Sequence, residues 1–376
     1  MRKWLVVFLV IILVLGTIWF FFGSSWTTKK QAIPHVTQSN QQPSTDIPQV
    51  SIVAENLSIP WAIAFLPDHS MLVTERPGRV RLIDATGKLQ DAPVATLADV
   101  KEIGEGGLLG IALDPDFPKN HYVYLYYTYA GTNDTLNRVA RYTYQNNALI
   151  DAKILVDAIP GNSNHNGGRI KFGSDNLLYI TTGDAEEPSR AQDKNSLGGK
   201  ILRITTDGKA APGNAFNNLV YSYGHRNPQG LAWDNDGRLW ATEHGRSGVQ
   251  SGLDEINLIV NGNNYGWPTI QGTETRAGMQ TPVRNSGNTT WAPAGVAYYN
   301  GRLFFGGLRG QTLYEAVLEN DKIVDLKTHL AGEFGRIREV ILGPDNMLYI
   351  TTSNRDGRGV PQSGDDKVLK VNPAKL

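Results

Sequence analysis

The sequence predicts an all-β fold, a six-bladed β-propeller preceded by an N-terminal transmembrane anchor. Three observations carry this prediction. One phrase of turn and strand residues occurs twice almost unchanged, looser copies of it recur along the chain, and a long uncharged segment stands at the amino terminus.

The repeated phrase reads FGSDNLLYITT at residues 172–182 and LGPDNMLYITT at residues 342–352. Each copy is a turn of Gly, Pro, Asp or Asn followed by a short β-rich run, a pattern typical of a β-hairpin. With the looser copies, turns start near residues 67, 115, 174, 235, 300 and 344, at intervals of 48, 59, 61, 65 and 44 residues. These intervals approximate propeller blades of about 40–50 residues with loop insertions. Six such phrases therefore predict six four-stranded sheets around a central channel.

Composition agrees with this fold and excludes some functions. The 40 glycines and 19 prolines suit many tight turns, and a hydrophobic content of 40% is enough for a core. No stretch after residue 50 keeps a helical apolar spacing for three turns. The 36 basic and 36 acidic residues give no net charge, so bulk nucleic-acid binding is not expected.

The amino terminus predicts a membrane anchor. Arg2 and Lys3 precede nineteen residues, 4–22, without a charge. A spanning helix needs about 20 such residues, whereas the apolar part of a cleaved signal has about 7–15. We therefore expect an uncleaved single-pass anchor at residues 1–23, with a cleaved signal as the alternative.

The segments after the anchor complete the domain organisation. Residues 24–49 are rich in Gln, Ser, Thr and Pro, which predicts a flexible tether, and residues 50–376 form the propeller domain. The globular domain is then expected outside the cytoplasm, held at the cell membrane, or secreted if the signal is cleaved. The absence of cysteine is compatible with an exported protein that folds without disulfides.

His165 is the first candidate for chemistry. It lies in the polar loop SNHNGGR at 163–169, before a strand, and nineteen residues before Asp184. A hairpin between the two residues would return both to the same end of a sheet. Neutral imidazole is a suitable general base near pH 7.

Two further loops carry polar clusters. Arg226 and Asn227, in YGHRNPQG, offer a planar guanidinium and an amide, which suit carboxylate or quinone oxygens. A later loop contains Glu243 to Arg246 and then Asp254 with Glu255, and its carboxylates and carbonyls could hold a hard cation such as calcium.

Three more arginines complete the candidates. Arg309 follows a glycine-rich turn, and Arg336 and Arg338 would direct both side chains to one face of an extended segment. Together with Arg226 they occupy different repeats, whose loops can converge on the channel of a propeller. Four convergent arginines in a neutral protein would require a multiply charged anion, whereas a solvated edge is the alternative for the pair at 336 and 338.

Eight ordered segments match one known family. They are IPWA (59–62), EGGLLG (105–110), HNGGR (165–169), YGHRNPQG (223–230), DEIN (254–257), GNNYGWP (262–268), AP (292–293) and RIR (336–338). On these segments, residues 55–372 resemble the soluble pyrroloquinoline quinone (PQQ)-dependent aldose sugar dehydrogenases, also called glucose/sorbosone dehydrogenase-like proteins. The resemblance implies a six-bladed propeller that oxidises an aldose at C1 to the lactone, with PQQ and calcium as cofactors and an electron acceptor that is not identified.

The resemblance also implies roles for individual residues. His165 would be the general base, Asp184 would support it, and Arg226 would polarise the quinone carbonyl. The cofactor would further contact a set of residues around it: Glu105, Asn227, Thr290, Arg309, Arg336 and Arg338. The backbone carbonyls of Gly245 and Arg246 would bind calcium.

The sequence departs from the family pattern at several positions. Asn164 replaces an aspartate beside the base, Glu105 replaces a glutamine near the substrate, and Arg246 replaces a proline of the calcium loop. A second, structural calcium site is not recognisable at residues 271–275. The alternatives to a dehydrogenase are a non-catalytic cell-surface binding propeller and a calcium-dependent lactone hydrolase.

Overall fold

The computed structural model describes residues 48–376. In this part of the chain, 24 strands form six four-stranded antiparallel sheets, and the first strand of each sheet contacts the neighbouring sheet, so that the six sheets close into a ring. The predicted all-β, six-bladed propeller is confirmed. The predicted anchor at 1–23 and residues 24–47 of the predicted tether lie outside the described residues. Within residues 48–376, no helix has the length and apolar character needed to cross a membrane.

The strands follow chain order from the centre of each blade outward, except for β1 (Val50–Ala54), which belongs to the sixth blade. The first blade contains β2 (Pro60–Phe65), β3 (Met71–Glu75), β4 (Arg79–Ile83) and β5 (Ala95–Thr96). The second contains β6 (Leu108–Leu113), β7 (Tyr122–Ala130), β8 (Thr135–Gln145) and β9 (Ala148–Gly161). The third blade contains β10 (Ile170–Phe172), β11 (Leu178–Thr182), β12 (Lys200–Ile204) and β13 (Val220–Tyr223). The fourth contains β14 (Pro228–Trp233), β15 (Leu239–Glu243), β16 (Glu255–Ile259) and β17 (Arg284–Asn285). The last two contain β18 (Pro293–Tyr299), β19 (Arg302–Gly307), β20 (Thr312–Glu319), β21 (Lys322–His329), and β22 (Ile337–Leu342), β23 (Leu348–Thr352), β24 (Val368–Val371) with β1 outermost. The only α-helix of residues 48–376 is α1 (Phe117–Asn120), a single turn between β6 and β7.

The sixth blade joins the two ends of the propeller. β1 pairs antiparallel with β24, with Val50 opposite Val371. The ring is therefore closed by main-chain hydrogen bonds between the first and last strands.

The repeated phrase is the turn between the first and second strands of a blade. In both close copies the turn aspartate accepts a hydrogen bond from a tyrosine hydroxyl of the second strand, Tyr179 to Asp175 at 3.0 Å and Tyr349 to Asp345 at 3.1 Å. In the fourth blade, Trp240 Nε1 donates to Asp234 at 2.8 Å in the same way. Because every blade has the same strand order, these turns share one end of the propeller. The loops that carry the candidate site residues lie at the other end.

Buried threonines join three of the blades to the next blade. Thr74 Oγ1 donates to the Leu109 carbonyl at 2.6 Å, and Thr242 Oγ1 donates to the Ala294 carbonyl at 2.6 Å. Thr351 Oγ1 forms the equivalent bond across the closure of the ring, to the Pro60 carbonyl at 3.1 Å. These side-chain bonds fix the angle between neighbouring blades. They therefore also fix the positions of the loops at the end of the propeller that carries the candidate site residues, here called the site end.

A buried ion pair lies within the ring of inner strands. Arg169 Nη1 is 2.5 Å from Glu339 Oε2, and both side chains are buried. The Arg169 guanidinium also lies 4.4 Å from the ring centre of Trp61, and its Nε donates to the Gln229 carbonyl at 3.0 Å. This cluster connects the first, third, fourth and sixth blades.

Thr351→Val is expected to lower the free energy of unfolding by about 1–3 kcal/mol. Valine keeps the shape of the side chain but removes the hydroxyl that bonds the Pro60 carbonyl and accepts the Glu339 N–H, each at 3.1 Å. Urea unfolding measures the change. Thr328→Val, at an exposed position of β21, is the matched control and should stay within about 0.5 kcal/mol of the parent chain. Equal unfolding curves for the two variants would contradict the role of Thr351 in closure.

Candidate active site

A cavity of about 580 Å³ lies at the site end of the propeller. Eight of the eleven predicted site residues line it: Glu105, His165, Arg226, Gly245, Arg246, Thr290, Arg309 and Arg336. The other three, Asp184, Asn227 and Arg338, are buried and lie next to lining residues in sequence or through the contacts described below. The structure therefore brings together residues from loops that the sequence separates by more than two hundred positions.

His165 and Asp184 form a hydrogen-bonded pair. His165 Nδ1 is 2.8 Å from Asp184 Oδ1, and the buried carboxylate also accepts Trp267 Nε1 at 2.8 Å through Oδ2. A carboxylate can only accept at this position, so Nδ1 carries the proton. The lone pair is then on Nε2, in a side chain that lines the cavity.

Glycines allow the loop of His165 to pack against the loop of Asp184. His165 has a φ of 58°, in the left-handed region. A Cβ on Gly183 would lie 1.8 Å from the His165 carbonyl oxygen, and one on Gly167 would lie 2.5 Å from the Thr181 carbonyl oxygen. Glycine is therefore required at both positions for the two loops to approach.

Arg226 and Asn227 are held by contacts on several sides. The Arg226 N–H donates to the buried Glu243 carboxylate, and its Nη2 donates to Ser247 Oγ at 2.7 Å. Asn227 Oδ1 accepts the Gly167 N–H at 2.9 Å, which links this loop to that of His165. Arg226 Nε and Asn227 Nδ2 are buried and have no hydrogen-bond partner among the described residues. Two donors therefore remain for a ligand.

His244 is a second histidine in the cavity lining, and the sequence had suggested no role for it. Burial disfavours the charged imidazolium and lowers the pKa of His244 to about 3, and the positive charges of Arg226 and Arg338 act in the same direction. Among residues 48–376, no carboxylate is hydrogen-bonded to His244 as Asp184 is to His165. At neutral pH it is a neutral and weakly basic group, and His165 is the better placed base of the two.

A carboxylate of the chain itself, Asp356, supplies part of the negative charge that the four convergent arginines were expected to require. Arg336 donates from Nε and Nη2 to Asp356 Oδ2 at 3.0 and 2.9 Å, and Arg338 Nη2 lies 3.7 Å from the same oxygen. Arg336 and Arg338 are 6% and 2% exposed, so the alternative of a solvated edge is wrong. Arg309 is exposed and forms no ion pair with any residue in the described part of the chain.

The loop proposed for calcium is shaped by Asp254. Asp254 accepts the N–H groups of Gly245, Trp291 and Ala292 at 2.8, 2.7 and 2.9 Å, so its carboxylate is occupied by main chain. Burial raises the pKa of Asp254, and these bonds oppose that change. Within residues 48–376, no three His, Cys, Asp or Glu side chains are grouped as a metal site. A calcium ion at this loop would therefore depend on carbonyl oxygens, such as those of Gly245 and Arg246.

Four site residues were missed by sequence reasoning: Trp267, Asp356, Arg358 and the neutral His244. Arg358 Nη1 is 2.5 Å from Glu105 Oε1, and its Nη2 donates to Asn164 Oδ1 at 2.6 Å. The repeated phrase could have indicated Asp356 and Arg358 as site residues. The first copy of the phrase is followed by Asp184, and the second copy is followed at the same end of its blade by the charged loop SNRDGRG at 353–359.

Comparisons with known proteins agree on one family. The family profile named Glucose / Sorbosone dehydrogenase matches residues 57–361. The chain is 33% identical over 359 residues to the aldose sugar dehydrogenase YliI of Escherichia coli strain K12, covering 86% of this chain and 92% of that protein. It is 34% identical over 268 residues to quinoprotein glucose dehydrogenase B of Acinetobacter calcoaceticus, covering 60% of this chain and 54% of that protein. The structure of the PQQ-bound aldose sugar dehydrogenase from Streptomyces coelicolor superposes with a TM-score of 0.80 at 41% identity, covering 86% of this chain and 98% of that one.

Proposed function

The chain belongs to the glucose/sorbosone dehydrogenase family, and we propose that it is a PQQ- and calcium-dependent aldose sugar dehydrogenase. The observation that carries the proposal is the position of the His165–Asp184 pair in the wall of a cavity that arginines also line. One cavity thus holds a base for a hydroxyl proton and cations for an anionic cofactor. The names of the relatives support the substrate class, an aldose sugar, and a cofactor, PQQ.

The residues of the cavity fit PQQ, a planar molecule with three carboxylates. Five arginines and three carboxylates line the cavity, so its wall is positively charged: Arg226, Arg246, Arg309, Arg336, Arg358 and Glu105, Glu186, Asp254. Buried donors without a partner in the described part of the chain point to a polar ligand: Arg226 Nε, Asn227 Nδ2, Arg246 Nε and Arg338 Nε. The volume of about 580 Å³ is within the roughly 300–1,000 Å³ usual for small-molecule sites.

We assign the cofactor contacts to residues of the predicted set. Arg309, Arg336 and Arg338 would hold the carboxylates, with Thr290 and Glu105 beside them. Arg226 and Asn227 would donate to the quinone oxygens. Bound PQQ would supply the acceptor for a hydride from the sugar. The carbonyls of Gly245 and Arg246 would hold calcium, which would act as a Lewis acid there.

The chain's own residues then account for the proton. His165 Nε2 would accept the proton of the C1 hydroxyl as the C1–H bond breaks, and the ring carbon becomes the lactone carbonyl. Asp184 would stabilise the imidazolium that results and keep Nε2 directed to the cavity. The Asn164 substitution leaves this arrangement intact, because the carboxylate that bonds His165 belongs to Asp184.

Titration of the purified full chain with PQQ and calcium tests the proposal. We expect stoichiometric binding, followed by the cofactor absorbance, and reduction of an artificial electron acceptor when aldoses are added. Chelation should lower turnover at least tenfold, and calcium should restore it better than magnesium, because calcium accepts carbonyl oxygens in flexible geometry whereas magnesium requires near-ideal octahedral geometry and gives up its waters reluctantly. Circular dichroism controls for unfolding by the chelator. Absence of PQQ binding would refute the enzyme and favour a non-catalytic binding propeller.

We further propose that residues 1–23 anchor the protein in the cell membrane and that the propeller faces away from the cytoplasm. The proposal rests on the uncharged segment 4–22 and the polar segment that follows it. Recovery of the full-length chain in the membrane fraction, with the propeller open to protease from the outer side, is the expected result. A chain that begins beyond residue 23 in the medium would indicate cleavage instead.

A further inference from the structure

Four side chains form a connected group at the wall of the cavity, here called the rim network: Glu105, Asn164, Glu186 and Arg358. Arg358 Nη1 and Nη2 contact Glu105 Oε1 and Asn164 Oδ1 at 2.5 and 2.6 Å. Asn164 Nδ2 donates to Glu186 Oε1 at 2.9 Å. Glu105 Oε2 in turn accepts the His165 N–H at 3.2 Å, so the rim network is directly attached to the proposed base.

The backbone of Arg358 is fixed by the loop that also holds the buried arginines. Asp356 Oδ1 accepts the Arg358 N–H at 2.9 Å, while Oδ2 of the same carboxylate binds Arg336. A Cβ on Gly359 would lie 2.6 Å from the Asn354 carbonyl oxygen, so the loop is tightly turned at this point. Arg358 is therefore presented to the cavity from a defined position.

Stability alone does not account for the rim network. The Arg358 side chain is 49% exposed and that of Glu105 is 13% exposed, and an ion pair whose cation is open to solvent contributes only about 0–1 kcal/mol to folding. Fixing a long arginine side chain opposes that contribution by a similar magnitude. The arrangement of a guanidinium between a carboxylate and an amide does, however, provide donors and acceptors in the pattern that pairs of sugar hydroxyls require.

Charge limits what the rim network can bind. Burial opposes ionisation of Glu105, but the charges around it outweigh burial and lower the pKa of Glu105 to about 2, and Arg358 contributes both by its charge and by its hydrogen bond. Arg358 Nη1 lies 2.5 Å from Glu105 Oε1, so Arg358 is the cation that pairs with the ionised Glu105. Two carboxylates and one guanidinium give the rim network an excess of one negative charge.

We propose that Arg358 is a specificity-determining residue and that the rim network binds the ring hydroxyls of neutral aldoses and disfavours sugar acids. The inference rests on the proposed function, because it assigns the sugar to the part of the cavity next to His165. Loss of Arg358 would leave Glu105 without its cation and would remove the positive charge of the rim network. The loss in kcat/KM would then be smallest for a positively charged sugar, intermediate for a neutral sugar and largest for a negatively charged sugar.

Kinetics of Arg358→Ala on three sugars test this inference: glucosamine, glucose and glucuronate, with charges of +1, 0 and −1 at pH 7. Relative to the parent chain, kcat/KM for glucose should fall about tenfold through KM, that for glucosamine by less than threefold, and that for glucuronate by more than thirtyfold. Arg358→Lys should restore the order of preference in part. Arg355→Ala removes an exposed arginine side chain of the same loop, whose one hydrogen bond within residues 48–376 is to the Asp365 carbonyl at 2.6 Å, and should change none of these ratios.

A binding measurement separates this inference from the proposed function. Saturation-transfer NMR on the full chain without cofactor reports contact with the same three sugars. If the parent chain shows no turnover but sugar binding by Arg358→Ala is graded by substrate charge, the dehydrogenase is refuted and the role of the rim network is retained. An equal loss for all three sugars, confined to kcat, would overturn the inference, and so would a parent chain that binds none of them.

Discussion

His165→Asn is expected to lower kcat for aldose oxidation by roughly 10²–10⁴-fold, the range for loss of a general base. Asparagine tolerates the left-handed backbone of this position, where φ is 58°, so the loop should keep its conformation. Its amide cannot accept the proton of the C1 hydroxyl. Steady-state kinetics with a saturating aldose measure the loss, and titration with PQQ should give an affinity within about threefold of the parent chain.

Variants of two other histidines serve as comparisons for His165→Asn. His69→Asn is the matched control, because His69 is an exposed turn residue with a φ of 70° at the opposite end of the propeller, and it should leave kcat unchanged. His244→Asn alters a cavity residue that is neutral at working pH, and we expect a loss of less than tenfold. A larger loss in His244→Asn than in His165→Asn would contradict the assignment of the base.

Asp184→Asn is expected to lower kcat by roughly 10²–10⁴-fold while His165 stays in place. An amide nitrogen facing Nδ1 would move the imidazole proton to Nε2, where the lone pair is needed, and the charge that stabilises the imidazolium would be lost. The Trp267 Nε1 bond, 2.8 Å in the parent chain, can still be accepted by the amide oxygen. Kinetics with a saturating aldose, with intrinsic tryptophan fluorescence as a check on the fold, measure the effect.

Glu187→Gln is the matched control for Asp184→Asn. Glu187 lies on the same loop and is exposed, and the one hydrogen bond of its side chain within residues 48–376 is accepted from Ser189 Oγ at 2.7 Å. It should keep the kcat of the parent chain. Retention of full kcat in Asp184→Asn would show that His165 does not depend on its carboxylate partner.

Local patterns were enough to predict the fold and the central pair of the site. In four of the repeated turns the aspartate bonds an aromatic residue only four to ten positions away, so one short segment specifies the turn, the strand and their contact. His165 and Asp184 flank a single hairpin, and their spacing of nineteen residues predicted that both lie at the same end of the sheet, where the structure joins them by a hydrogen bond. The arginines at 226, 309 and 336 could be placed because propeller symmetry sends equivalent loops to the same end.

Contacts between distant segments could not be predicted in this way. Arg358 and Glu105 are 253 residues apart, and Arg338 and Gln229 are 109 apart. Such pairs depend on the rotation between blades and on the path of each loop, which no single segment encodes. For the same reason the sequence led to the expectation of an external anion between Arg336 and Arg338, whereas the carboxylate of Asp356 occupies part of that position.

The pairing of β1 with β24 sets an order of events during synthesis. β1 ends at Ala54 and β24 ends at Val371, so the ribosome must add about 317 residues after the first strand before its partner exists. At roughly 5–20 residues per second, this takes on the order of 15–65 s. Throughout that interval the edges of β1 and of the growing array of blades are open to wrong partners. A chain that stops between residues 329 and 368 contains the first five blades but lacks β24, so it cannot close the ring.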